Sequence, residues 1–156
     1  MIEASLSIVL TAILALTFVP LLVQATQSYA TASARSRSIH DAKLAVTRMT
    51  RELTLLGSVD ILGIQAQQFS FRDAQGTLTN YAYAAGNQTL SRAGQLVLPN
   101  VTALTFTYYD GNRNMTNTIA NVRRIDVQLT TSTVTSGAVT FRTEVYPRSM
   151  TYVNFQ

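Results

Sequence analysis

Cysteine is absent from this 156-residue chain. That excludes a disulfide framework, thiolate chemistry and any Cys-based metal site. An exported domain without disulfides must hold together by packing alone. Histidine occurs once, at His40 between Ile39 and Asp41, and with no second candidate ligand beside it reads as a surface residue, not a metal ligand or general base. With no Cys and one His, most nucleophile–base pairs cannot be built. There is no Gly-rich phosphate loop and no G-x-S-x-G elbow. The acids after Glu3 are Asp41, Glu52, Asp60, Asp73, Asp110, Asp126 and Glu144, and no two of them form a recognisable acid-pair or metal-ligand motif. Asp110-Gly111-Asn112 reads as a turn, because calcium takes roughly six to eight oxygens and several carboxylates. The expectation is a chain that is not an enzyme, with no catalytic residues, no cofactor and no metal.

Charge is also sparse. Lys+Arg number 12 against 8 Asp+Glu, for a net +4, and only 13% of residues are charged. A sequence pI near 9.8 raises the question of nucleic acid. The basic residues are scattered, however: Arg35, Arg37, Lys43, Arg48, Arg51, later single arginines and the Arg123-Arg124 pair. No nucleic-acid partner is expected, and the +4 reads as a solvated surface. The N-x-T sequons at Asn87, Asn100 and Asn114 arise easily by chance in a chain rich in Asn and Thr.

The first 34 residues hold one charge, the carboxylate of Glu3. It opens an apolar run from Ala4 to Val23, which has the length of about 20 residues needed to cross the ~30 Å hydrocarbon core of a bilayer. A carboxylate at the edge of such a run is costly without a partner and marks function. A cleaved signal peptide would have a basic n-region and a shorter apolar core; neither is present. Simple anchoring leaves Glu3 without a purpose. Pro20 interrupts the run near its far end. Arg35, Arg37 and Lys43 would place the C-terminal side in the cytoplasm by the positive-inside rule, a tension that disappears if a basic leader once preceded Met1.

The helical pattern continues past Val23. From Gln24 to Leu56 there is no Gly or Pro. Ile39, Ala42, Val46, Met49, Leu53 and Leu56 recur at spacings of three and four, an apolar stripe with Arg35, Lys43, Arg48 and Arg51 mostly off it. Gly57 is a natural stop. The reading is one helix of roughly 55 residues, about 80 Å long at ~1.5 Å per residue, with its first half free and its second half on a globular domain.

After Gly57 the period changes to two. Phe69 and Phe71 alternate with polar residues, Asp73 to Gly76 reads as a turn, and Tyr81 and Tyr83 alternate on the return. Short strands follow around Gln88 to Ser91 and Gln95 to Leu98. Val101 to Tyr109 is the clearest strand, then a turn at Asp110-Gly111-Asn112. Ile125, Val127 and Leu129 alternate, and Ser136-Gly137 turns into Val139, Phe141 and Val145, ended by Pro147. One helix followed by consecutive strands gives an α+β fold, an antiparallel meander packed on the helix. The expected domains are an apolar helix segment, 1–25, and a globular part, 26–156. The latter holds an amphipathic half-helix (26–56), an antiparallel sheet (59–147) and a tail (148–156) in which Tyr152 and Phe155 are candidates for packing.

Met1-Ile2-Glu3, the apolar run to Val23 and Pro20 together resemble the N-termini of type IV pilins and of the pseudopilins of type II secretion. In that family a hydrophobic pair precedes a glutamate, and a proline commonly follows seventeen positions later; Glu3 and Pro20 keep that spacing. The family glutamate is normally fifth in the processed chain and here is third, so the expectation is that two residues are missing before Met1. Looser similarity to minor pilins and J-type pseudopilins lies in Arg48-Met-Thr-Arg-Glu-Leu53, the Phe69 to Phe71 strand, Phe106-Thr-Tyr-Tyr-Asp-Gly111 and Val122-Arg-Arg-Ile-Asp-Val127.

The resemblance implies a long curved helix on an antiparallel sheet and a filament whose core is made of packed apolar helices. It implies Glu3 and Pro20 as assembly residues, and Met1 and Ile2 as the region where a prepilin peptidase removes a leader and methylates the new N-terminus. The implied partners are copies of this chain or related pilins, the assembly machinery and the inner membrane before assembly. The implied destination is an extracellular or periplasmic filament. Whether the subunit builds a shaft or, as a minor pilin or pseudopilin, initiates or tips it stays open. A monomeric membrane-anchored binding or adhesion domain is the competing class.

Overall fold

Helix α1 spans Ile2–Thr54 and carries Pro20 inside it. The computed structural model describes residues 2–57, 59–133 and 137–148, with the backbone alone at residues 2–6, 8 and 12. Met1 and the tail from 149 onward, including Tyr152 and Phe155, lie outside the described residues. The chain divides into two units, Met1–Arg37 and Ser38–Gln156.

The end of α1 is built from local chemistry. Leu55 and Leu56 donate to the carbonyls of Glu52 and Leu53 at 3.2 and 3.3 Å, tightening the last turn. The Gly57 N–H then donates to Oδ2 of Asp60 at 2.8 Å. Thr47, Thr50 and Thr54 return their hydroxyls to carbonyls four residues earlier, so each hydroxyl finds an acceptor within the helix itself.

Eight strands follow: β1 (Ile61–Ile64), β2 (Gln68–Arg72), β3 (Leu78–Ala84), β4 (Thr89–Arg92), β5 (Gln95–Leu98), β6 (Val101–Tyr109), β7 (Arg124–Ser132) and β8 (Ala138–Val145). A short 3-10 turn at Ile119–Asn121 separates β6 from β7. All pairings are antiparallel. The fold is α+β, one long apolar N-terminal helix followed by antiparallel sheets.

The sheet expected over 59–147 is divided. β1 to β5 form one five-stranded meander, and β6, β7 and β8 form a second, three-stranded sheet. The physical reason lies at the β5–β6 junction. Pro99 cannot donate to a ladder, and Asn100 takes φ 58, which reverses the chain. The carbonyl of Asn100 then receives the Ser132 N–H and the Thr131 hydroxyl, both at 2.9 Å, so the turn is tied to β7 instead of continuing the meander. The sequence pattern names no strand at β1, because Ile61-Leu62-Gly63-Ile64 lacks alternation. Its pairing with β2 is irregular between Ile61 and Gly63, as a glycine inside a strand permits. Between β4 and β5, Ala93 (φ 50) and Gly94 (φ 78) are both left-handed, the geometry of a two-residue hairpin turn whose twist matches its strands.

One core joins α1 and both sheets. Ala42, Ala45, Met49, Leu53 and Leu56 supply the helical side, with Val46 packed against it, while Lys43, Arg48 and Arg51 are exposed. Phe69 of β2 lies 5.6 Å from Phe71, 5.8 Å from Phe106 and 6.0 Å from Tyr108, ring centroid to centroid. It therefore spans the two sheets; replacing such a buried ring by alanine costs about 3–5 kcal/mol. The Phe106 N–H donates to the Ala66 carbonyl at 2.8 Å and the Tyr108 hydroxyl to the Gln65 carbonyl at 2.9 Å. These bonds fasten β6 to the loop before β2.

Candidate functional site

Among the described side chains, the N-terminal part of α1 is apolar and shows no buried face. Leu10 is 54% exposed, Leu14 55%, Leu16 75%, Phe18 60% and Val19 57%. Successive residues of a helix point 100° apart, so this run is apolar all round. Among the described residues this is the one helix long and apolar enough, by length and composition, to cross a membrane. Exposed patches of this size mark a surface that works in contact with lipid or with other protein.

The backbone of Glu3 and Ile2 is helical, but their side chains, like Met1 as a whole, lie outside the described residues. Pro20 sits within the helix, where it lacks the N–H that would bond the Leu16 carbonyl. The Thr17 hydroxyl turns back to the carbonyls of Leu14 and Ile13, at 2.9 and 3.2 Å. Thr11 and Thr26 likewise bond Ser7 and Val23. In the single chain the hydroxyls of this segment thus serve carbonyls on their own N-terminal side.

A second constellation, unforeseen from the sequence, sits at the other end of α1. Oε2 of Glu52 accepts the Tyr81 hydroxyl at 3.0 Å and Nε of Arg92 at 2.9 Å, and Oε1 accepts Nε of Arg48 at 3.1 Å. Burial by itself would raise the Glu52 carboxyl, but the hydrogen bonds from Arg92, Arg48 and Tyr81 outweigh it and hold the group below its ordinary value. Burial, followed by the Glu52 charge, pushes the Tyr81 phenol well up. Asp73 faces Arg92 at 3.9 Å, and its Oδ1 accepts the N–H groups of Gln75 and Thr77 at 3.0 and 2.8 Å. A cleft of about 220 Å³ opens here, lined by Glu52, Leu55, Asp60, Phe71, Asp73 and Arg92 among others. The charges of Glu52, Asp60, Asp73 and Arg92 are engaged by neighbours, and the result is a polar clamp between α1 and the five-stranded sheet. The Arg48–Glu52 pair is visible as an i,i+4 spacing; Tyr81 and Arg92 come from 29 and 40 residues away, beyond the reach of any local pattern.

The other sequence candidates resolve simply. His40 is exposed. Oδ1 of Asp110 accepts the N–H groups of Asn112 and Asn114, both at 2.8 Å, which is turn chemistry. Among the described residues no group of three or more His, Cys, Asp or Glu side chains is placed to hold a metal ion. On the second sheet, Arg142 pairs with the buried Asp126 at 2.7 Å, and the Arg124 guanidinium lies 3.9 Å from the Tyr109 ring centroid, a cation–π stack.

A scan of family models finds none that matches the chain, and a search of curated proteins finds no match either.

Proposed function

We propose that this chain is a structural subunit of a bacterial type IV pilus-like filament, polymerising through its N-terminal helix. The observation that carries the reading is the run of exposed apolar side chains on α1, from Val9 to Val23, headed by a lone acid and interrupted by Pro20 at pilin-like spacing. Before assembly the run lies in the inner membrane, where lipid covers it; afterwards neighbouring helices take the place of lipid. Burial at about 25 cal/mol per Å² supplies the cohesion. The Glu3 carboxylate meets the N-terminal ammonium of a neighbouring subunit, and since an unpaired buried charge costs several kcal/mol, that pair rewards one axial register over its neighbours.

A second reading keeps the filament and changes the position. The similarity of Arg48-Met-Thr-Arg-Glu-Leu53 and Val122-Arg-Arg-Ile-Asp-Val127 to minor pilins and J-type pseudopilins favours a subunit that initiates or tips a pilus or a secretion pseudopilus. A monomeric membrane-anchored binding domain has no use for Glu3 and tolerates its loss.

Glu3→Ala tests the proposal. The expected result is a folded C-terminal domain, unchanged membrane localisation and a sharp fall in sheared surface filaments, counted by negative-stain microscopy with mass spectrometry of the main band. Normal filament yield at matched expression refutes the registry role.

A further inference from the structure

The side chains immediately after the apolar run change in a fixed order. Val23 closes the run, and Gln24, Thr26, Gln27 and Ser28 follow. Tyr29 comes next, 79% exposed. Arg35 and Arg37 are then the first charges since Glu3, and the next acid is Asp41. Both arginines are exposed, and among the described residues neither enters an ion pair or hydrogen bond.

These positions run outward from the edge of a bilayer surface. At ~1.5 Å per residue, Tyr29 stands about 9 Å beyond Val23, and Arg35 and Arg37 about 18 and 21 Å beyond it. The headgroup layer is about 5–8 Å thick on each side of the hydrocarbon. Tyrosine favours that level, with its ring toward the apolar side and its hydroxyl in water. The arginines stand farther out; an arginine side chain extended toward the membrane brings its guanidinium to about one Debye length, ~8 Å, from a charged surface. Arg35 and Arg37 are two residues apart, about 200° around the helix. Charge is thus presented on opposite sides, as suits a helix standing upright in a membrane and not one lying on it.

We infer that residues 29–37 form a collar that holds anionic phospholipid headgroups at the membrane surface, with Tyr29 at the interface and Arg35 and Arg37 as the electrostatic contacts. The inference rests on the membrane-embedded stage of the proposed function and does not require filament assembly. It gives the basic residues after the span a task where the positive-inside rule leaves a tension.

The test uses the full chain reconstituted in phosphatidylcholine bilayers, with trace spin-labelled phosphatidylglycerol or spin-labelled phosphatidylcholine. Electron spin resonance measures the lipid slowed at the protein surface and the preference of the protein for one headgroup over the other. Each well-placed arginine is worth about a fivefold preference for the anionic lipid at low salt. The expected result is a preference of about fivefold or more that shrinks at high salt. It falls to near one in Arg35→Gln/Arg37→Gln and persists in Arg35→Lys/Arg37→Lys and in Arg51→Gln. A wild-type preference near one, or one that the Gln double variant leaves unchanged, overturns the collar while leaving the membrane span standing. Absence of any slowed lipid, with either label, overturns the span and the collar together.

Discussion

The Glu52 carboxylate on α1 accepts the Tyr81 hydroxyl of β3 at 3.0 Å, while Tyr81 itself is 0% exposed and stacks 6.0 Å from Phe71. This one bond ties a helix and a sheet together through a core ring whose polar end has to be satisfied inside the protein. Arg92 completes the arrangement from β4 at 2.9 Å.

Breaking the clamp should destabilise the globular unit. Glu52→Ala leaves a buried phenol and a partly buried guanidinium without their shared acceptor, a loss of about 2–3 kcal/mol. Tyr81→Phe removes one hydrogen bond and costs about 1 kcal/mol. Urea denaturation of both variants and of the double variant reads these values. A non-additive double variant is expected, because the two side chains share one bond; strict additivity would show that they act independently.

The same carboxyl gives a pH signature. The hydrogen bonds hold its folded value below the ordinary carboxylate value, so its stabilising effect is complete above that ordinary value. As pH falls below it, the unfolded chain takes up the proton first, and the contribution declines until the folded carboxyl also protonates. At the alkaline end the Tyr81 and Tyr108 phenols are raised from 10.0 by burial. Their contribution is complete below pH 10 and is lost as pH rises from there toward their folded values. Wild-type stability should therefore drop at both ends, with Glu52→Gln flattening the acid limb and Tyr81→Phe the alkaline one. Denaturation midpoints across pH 3–11 check this; acid limbs that run parallel in wild type and Glu52→Gln would remove Glu52 from the account.

A chain beginning at Thr26 should fold. Among the described residues the helical part of the core begins at Ala42, so the truncation removes exposed apolar surface and no described core side chain. The expected product is soluble, monomeric by size exclusion and cooperative in thermal unfolding. Insoluble or molten material under several conditions would show that the N-terminal segment belongs to the core.

Assembly should alter α1 around Pro20. In the single chain the helix runs through Thr17 and Pro20, with the Thr17 hydroxyl on the carbonyls of Leu14 and Ile13. Proline already forfeits one bond and crowds the preceding turn, and neighbouring helices can satisfy what a further opening exposes. The expected outcome in a filament map at side-chain resolution is a kink or short non-helical stretch near residues 17–20. A straight helix lacking only the bond that proline cannot make rules it out.

The residues themselves determine the long helix: no Gly or Pro between Gln24 and Leu56, a stripe at three- and four-residue spacing, and Gly57 beyond its end. They also determine strands β5 and β6 to the residue, because alternation between turn signals is a local property. The spacing of Glu3 and Pro20 is likewise read from the sequence, whereas their role in assembly is proposed from the resemblance to pilins. Tertiary structure decides what distant residues do to one another. β1 forms because β2 offers it an edge, despite a pattern that names no strand. The expected single sheet becomes two because the turn at Asn100 finds its partners on β7, some thirty residues on. The Glu52–Tyr81–Arg92 clamp is illegible for the same reason. Periodicity tells which way a side chain faces within its own element, and only the packing of element on element determines which charge it meets there.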